Sequence, residues 1–233
     1  MVLPKLNDSP KFNVTIPSTN TKVRFRPYLV KEEKVLLMAV ESGDPQAALA
    51  AVIDTLEACI EEKIDTKRLT TFDVEYLFTQ IRAKSAGENV HVGLNCKECE
   101  QLNEVDIPLD QIKLKVPKTE KIKELNEEIT IELRYPPYQI LLDMNTEELG
   151  AEQSFALAGK CIDAVIFNDE RIANDEITDD EMLEFLESMT QEQFKLVTDF
   201  IETMPKLEHT VKFNCLHCDH KNNIKIEGMQ SFF

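Results

Sequence analysis

The sequence is poor in the features that nucleotide-binding and membrane proteins need. Its 233 residues include only six glycines, which leaves little material for glycine-rich loops that bind phosphates. No apolar run approaches the roughly 20 residues of a membrane-spanning helix. The opening residues Met-Val-Leu-Pro-Lys lack the apolar segment of a signal peptide. We therefore expect a protein without membrane contact that works in a reducing cytoplasm.

Catalytic sequence signatures are also missing. No Gly-x-x-x-x-Gly-Lys-Ser/Thr, Gly-x-Ser-x-Gly or His-Glu-x-x-His motif occurs. The zinc-deaminase pattern needs a His-x-Glu, which is absent, and a proline before Cys-x-x-Cys, where this chain has asparagine. The acidic stretch 168–176 lacks the glycine and the ligand spacing of a calcium loop. We therefore predict that the protein is not an enzyme.

The charge is strongly negative and unevenly distributed, with a formal net charge of −17. Residues 141–208 hold 18 acidic and 4 basic side chains, whereas residues 1–34 hold 3 acidic and 7 basic ones. The acidic excess argues against general binding of nucleic acid or of anionic membranes. We interpret the acidic block as solvated helix faces. The alternative interpretation is that it binds a basic patch on a protein partner.

A Cys-x-x-Cys motif occurs twice in similar surroundings. A shift of 119 positions matches the two copies through the pairs Val92 and Val211, Leu94 and Phe213, Asn95 and Asn214, Cys96 and Cys215, Cys99 and Cys218, and Asn103 and Asn222. Each copy is typical of a strand, a Cys-x-x-Cys turn, which we call a knuckle, and a second strand. Two such hairpins that face each other supply four thiolates, the ligand set of a structural zinc ribbon.

Four thiolates favour one tetrahedral Zn²⁺ and leave no open coordination position for catalysis. The predicted metal ligands are Cys96, Cys99, Cys215 and Cys218. Separate sites, intermolecular sites and the absence of a metal are alternatives, since 115 residues separate Cys99 from Cys215, far more than in a usual ribbon. His217 and His220 lie beside the second knuckle and are further possible ligands, although exposed turn residues are the simpler interpretation. We interpret Cys59 and Cys161 as small core residues.

The hydrophobic pattern predicts an α+β fold in four parts. These are an N-terminal hairpin and helical region at 1–89, a zinc-ribbon-like module at 90–108 with 209–233, a β-rich segment at 109–137 and an acidic helical segment at 138–208. In the N-terminal region we expect a hairpin over 12–26 and then helices at 31–42, 45–62 and from about 70 to 85. In the acidic segment we expect a helix over 152–167, an acidic loop over 168–177, and helices at 179–188 and 191–204 that two capping boxes begin.

Several stretches resemble the baseplate hub subunits and hub-assembly proteins of T-even-like contractile-tailed phages. Besides the two knuckles and the Gly228 to Phe233 ending, the stretches that carry the resemblance are Pro17-Ser18-Thr19-Asn20, Phe25-Arg26-Pro27-Tyr28-Leu29-Val30-Lys31-Glu32-Glu33-Lys34, Phe72-Asp73-Val74-Glu75-Tyr76-Leu77-Phe78, Ile81-Arg82-Ala83-Lys84-Ser85 and Phe200-Ile201-Glu202-Thr203-Met204-Pro205. The resemblance spans nearly the whole chain and is most specific over residues 17–85 and at the C-terminus.

This resemblance implies a non-enzymatic protein that helps to build the baseplate hub in the host cytoplasm, either as a hub component of the virion tail or as a chaperone. Its partners would be other hub proteins. Candidate contact surfaces are the terminal Phe232 and Phe233, the acidic helices 179–204 and the basic segment 22–34. A zinc-ribbon protein that binds nucleic acid is the alternative function.

Overall fold

The computed structural model describes residues 9–143 and 151–227. The chain is α+β and forms two compact units, one of residues 1–115 with 206–233 and one of residues 116–205. The helices are α1 (Val30–Glu41), α2 (Pro45–Cys59), α3 (Thr71–Ser85), α4 (Tyr138–Asp143), α5 (Ala151–Cys161), α6 (Asp179–Glu187) and α7 (Gln191–Glu202). The strands are β1 (Phe12–Ile16), β2 (Thr21–Phe25), β3 (Asn89–Asn95), β4 (Leu102–Pro108), β5 (Lys113–Lys115), β6 (Ile122–Glu124), β7 (Ile129–Leu133), β8 (Ile162–Phe167), β9 (Glu170–Ala173), β10 (Lys206–Asn214) and β11 (Lys221–Glu227). The predicted division into four parts stays a prediction, whereas the α+β class is confirmed.

The predicted N-terminal hairpin is present in the first unit. β1 and β2 pair antiparallel with Phe12 opposite Phe25, and alternation buries one face of the hairpin. The core residues of this region come from β1, β2, α2 and α3, and they include Val23, Phe25, Leu56, Leu77, Phe78 and Ile81. α2 ends at Cys59, earlier than predicted, because Ile60 forms a β-bridge with Phe25.

Asp73 links this hairpin to the start of α3. Its side chain is fully buried. The Thr70 hydroxyl and N–H donate to Asp73 Oδ2 at 2.7 and 3.0 Å, and the Ser18 N–H donates to Oδ1 at 2.9 Å. The carboxylate therefore caps the helix and also holds the turn between β1 and β2.

The rest of the first unit is built from the two knuckle hairpins. β3 pairs with β4, and β10 pairs with both β11 and β5. Their inward side chains form one apolar cluster, whose buried members are Val90, Leu94, Ile107, Leu109, Ile112, Leu207, Val211 and Ile226. Tyr76 and Ala83 of α3 pack against this cluster. Hairpins that are distant in sequence are thus held together by a common core.

The second unit contains a four-stranded antiparallel sheet in the order β6-β7-β8-β9. The prediction of a helix through Phe167 is wrong, because residues 162–167 form β8 between β7 and β9. Part of the predicted acidic loop is likewise strand β9. The reason is the turn at Asn168 and Asp169, where φ values of 50° and 65° close a tight hairpin of the kind that asparagine and aspartate favour.

Three helices pack on the core of this sheet. The buried members of the core are Ile131, Leu133, Ala158, Ile162, Val165, Met182, Leu186, Val197 and Phe200. Both predicted capping boxes are confirmed: Thr178 with Glu181 begins α6, and Thr190 with Gln193 begins α7. Among the described residues, no helix is long and apolar enough to cross a membrane.

Candidate metal centre

The two knuckle hairpins have the same register. In the first, Asn95 lies opposite Leu102, and in the second Asn214 lies opposite Lys221. Both knuckle turns also have the same backbone bonds. The Cys96 N–H donates to the Gln101 carbonyl at 2.9 Å, as the Cys215 N–H does to the His220 carbonyl at 2.9 Å.

The residue after each knuckle's second cysteine allows the tight turn. Glu100 and Asp219 occupy equivalent positions and have φ values of 58° and 57°, in the left-handed region that aspartate enters more readily than glutamate. In each turn the first cysteine sulfur also accepts a backbone N–H two residues later, from Glu98 and from His217, at 3.4 Å. Each knuckle therefore presents its sulfurs on one side of the turn.

The four cysteine sulfurs meet at one place. Every pair lies within 4.8 Å, with Cys96 Sγ 3.7 Å from Cys218 Sγ and Cys99 Sγ 3.6 Å from Cys215 Sγ. Sulfurs at about 2.3 Å from a tetrahedral Zn²⁺ are about 3.8 Å apart, so the geometry suits that ion. In the described part of the chain, this group of metal-binding side chains contains cysteines and no histidine. His217 is exposed and His220 half-buried.

Each hairpin has one buried asparagine that contacts the knuckle of the other hairpin. Asn103 Nδ2 lies 3.6 Å from Cys215 Sγ, and its Oδ1 accepts the Leu216 N–H at 2.9 Å. In the same way Asn222 Nδ2 lies 3.4 Å from Cys96 Sγ, and its Oδ1 accepts the Lys97 N–H at 2.9 Å. Only 2% of Asn103 and 3% of Asn222 is exposed. A local pseudo-two-fold axis therefore relates the two hairpins. The sequence repeat that matches Asn103 with Asn222 reflects this symmetry.

These contacts divide the four thiols into two kinds. Burial opposes ionisation of Cys96 and Cys215, but hydrogen bonds from backbone N–H groups and from the two asparagines outweigh it and lower both pKa values, that of Cys96 to about 6. At Cys99 and Cys218, N–H groups from Gln101 and His220 favour the thiolate, but burial and the neighbouring sulfurs outweigh them. The pKa of Cys99 is raised, and that of Cys218 is raised to about 12. A cation that binds all four thiolates must therefore displace protons.

The two remaining cysteines take no part in this cluster. Cys59 and Cys161 are 1% and 0% exposed, as the interpretation of them as core residues predicts. Burial raises their pKa values to about 11 and about 12, so both are neutral thiols near neutral pH.

The structure describes some of the predicted contact surfaces and not others. Phe232 and Phe233 lie outside the described residues. In the basic segment, Arg24 forms ion pairs with Glu61 and Glu62, and Arg26 with Glu32, so much of its charge is compensated within the chain.

A groove between α5 and α6 was not predicted from sequence. It has a volume of about 540 Å³ and apolar walls that include Phe155, Met182 and Leu183. Asp179, Asp180 and Glu187 lie at its rim, where Asp179 pairs with Lys160 at 2.8 Å. Gly159 allows the two helices to approach, since a Cβ there would lie 2.9 Å from Met182 Cγ. The small residues Ala156 and Gly159 were the available signal in the sequence.

Comparison with known families identifies the kind of protein. A family model described as T4 bacteriophage base plate protein matches residues 9–233. The chain belongs to this baseplate family. Comparisons with curated proteins and with solved structures give no match. The chain is thus a T4-like phage baseplate protein, and its family implies contacts with other baseplate proteins.

Proposed function

We propose that this baseplate-family protein acts without catalysis in building the baseplate hub, as a hub subunit or as an assembly chaperone. The observation that carries the non-catalytic part of the proposal is the four-cysteine group, because four thiolate ligands from the protein would leave a bound metal no coordination position for a substrate. The family relationship supports a role in baseplate assembly. The protein would work in the host cytoplasm and, as a hub subunit, would stay in the virion tail.

In this proposal Cys96, Cys99, Cys215 and Cys218 hold one structural Zn²⁺. The metal would fix the two hairpins to each other and so join the ends of the segment that contains the second unit. Purified protein should contain one zinc per chain by elemental analysis. Cys96→Ser should lose the metal, whereas Cys161→Ser, which alters a cysteine outside the cluster, should keep it. Zinc-free protein with unchanged thermal stability would contradict a structural metal.

Protein contacts would carry the assembly function. The acidic rim and apolar walls of the α5–α6 groove suit a partner segment with apolar and basic side chains. We also propose Phe232 and Phe233 as partner-binding residues. Deletion of residues 229–233 should weaken hub assembly and leave the stability of the isolated protein unchanged. A loss of stability would instead indicate that these aromatics belong to the core.

Mass spectrometry of purified virions, together with affinity purification from infected cells, tests the role. Absence from virions and co-purification with hub subunits would favour the chaperone, and presence in virions would favour the subunit. Absence of the protein from virions, together with no co-purification of hub subunits from infected cells, would contradict the proposal.

Nucleic-acid binding is the competing function for a zinc ribbon. Lys225 of the second hairpin pairs with Glu208 at 2.7 Å, and Lys97 Nζ donates to the Asn223 carbonyl at 3.0 Å, so these cations already have partners. Acidic residues such as Glu98 and Glu104 also lie on the first hairpin. DNA retention at low salt would favour the competing function.

A further inference from the structure

Helix α1 exposes several large apolar side chains, beside charged ones, to solvent. Leu29 precedes it, and within it Val30 is 79% exposed, Leu37 58%, Met38 59% and Val40 58%. Its inner side packs against α2, and Glu32 is its buried residue. Clustered exposed apolar side chains mark interaction sites.

The outer side of α1 has a definite charge order. Val30, Lys34, Leu37 and Glu41 recur at spacings of four, three and four, which places them in one stripe along the helix. Lys34 lies in the N-terminal half of the stripe and Glu41 at its C-terminal end. Both are exposed. The stripe is therefore complementary in charge to the same stripe of a second copy that runs antiparallel to it.

We propose that α1 is the contact surface of a symmetric homodimer, in which the α1 helices of two copies pack antiparallel. A two-fold axis between Leu37 and Met38 places Leu37 of each copy against Met38 of the other. The same axis places Lys34 opposite Glu41 of the second copy, and it does so twice, as two-fold symmetry requires. Parallel packing would place like charges together, which disfavours it.

The α1–α2 hairpin supplies a suitable architecture for this contact. Gly43, with φ of 67°, closes the turn between the two helices, and Ala47, Ala48 and Leu49 near the start of α2 are only half-buried. Two helical hairpins that pair through the outer side of α1 form a layer of four helices, in which each α1 lies between its own α2 and the α1 of the second copy. The proposal does not depend on a metal at the four cysteines or on a role in the hub.

Sedimentation equilibrium of the full chain tests the dimer, and charge exchange tests its geometry. The natural protein should associate to a dimer as its concentration rises, with and without a chelator. Leu37→Glu should raise the dissociation constant at least about tenfold, since each dimer loses the apolar contact twice. Lys34→Glu and Glu41→Lys should each weaken the dimer roughly three- to tenfold, and the double variant should regain most of the loss.

Val116→Glu is the matched control, because Val116 is exposed to a similar extent, 60%, in the second unit. It should leave the dissociation constant unchanged. Circular dichroism should show that all variants keep their helices, since the inner side of α1 is unaltered. A chain that stays monomeric at all concentrations would overturn the proposal and would indicate a different baseplate protein as the occupant. A double variant no better than either single one would overturn the antiparallel geometry.

Discussion

Asn103 of the first hairpin donates a hydrogen bond to Cys215 of the second, with 3.6 Å between Nδ2 and Sγ, and Asn222 returns the same contact to Cys96 at 3.4 Å. Each amide oxygen also accepts a backbone N–H in the opposite knuckle. The two asparagines therefore fix the position and favour the ionised state of one sulfur in each knuckle. This makes them positioning residues for the proposed metal.

Asn103→Asp and Asn222→Asp should each weaken zinc binding about 10- to 100-fold, the usual effect of removing a partner of a metal ligand. Aspartate keeps the acceptor for the backbone N–H but replaces the amide donor with a second negative charge beside the thiolate. Competition with a chromophoric chelator measures the affinity. Asn95→Ala and Asn214→Ala, at exposed repeat positions one residue before each knuckle, are the controls and should bind zinc normally. Equal losses in both pairs would contradict the positioning role.

Zinc binding should weaken as the pH falls. In the metal-free protein the pKa of Cys218 is raised to about 12 and that of Cys99 is also raised, so both thiols are protonated near neutrality and must lose their protons to the metal. Calorimetric titration with zinc in buffers of different ionisation enthalpy should reveal proton release. Cys218→Ser should release fewer protons and bind more weakly. Binding that is independent of pH would show that the thiols are not the ligands.

The sequence predicts the local parts of the site better than their connections. The 119-residue shift predicts two hairpins whose strands, knuckles and left-handed turn residues do coincide, because each hairpin is specified by its own residues. The shift also matches Asn103 with Asn222, but it does not say that each reaches the opposite knuckle, since that contact depends on tertiary packing. The α5–α6 groove likewise arises only when two helices meet.

The error at residues 162–167 has a different physical cause. An apolar run of this length fits a buried strand as well as a continuation of α5, and periodicity does not separate the two. The β-branched Ile162, Val165 and Ile166 and the following Asn168-Asp169 turn favour the strand. The capping boxes of α6 and α7, in contrast, are formed within four residues each and were predicted correctly.

Glu32 should stabilise the fold in a pH-dependent way. Burial acts against its ionisation, but Arg26, the Leu29 N–H and Lys31 outweigh burial and lower its pKa from 4.5 to about 2. Because the pKa is lower in the folded state, the stabilisation is complete above about pH 4.5 and disappears as the pH falls towards 2. Glu32→Gln should lower the free energy of unfolding near neutrality by up to roughly 3 kcal/mol.

Urea unfolding near neutrality and at acid pH measures this effect. The difference between the natural protein and Glu32→Gln should shrink on acidification. Glu33→Gln alters the exposed neighbour on the same helix and should change stability little at either pH. A difference that is independent of pH would indicate that Glu32 contributes through packing.

Asp73 should contribute more to stability than an ordinary capping residue. Besides the bonds from Thr70, its buried carboxylate accepts the Ser18 N–H at 2.9 Å and so connects α3 to the turn between β1 and β2. Asp73→Ala removes a charged acceptor and leaves buried donors unsatisfied, which should lower the free energy of unfolding by roughly 3 kcal/mol. Glu181→Ala is the matched control, since Glu181 occupies the same position in the exposed capping box of α6. Chemical denaturation should show a clearly smaller loss for that variant, because water satisfies the donors that it frees. Equal losses would mean that the contact with Ser18 adds nothing to the cap.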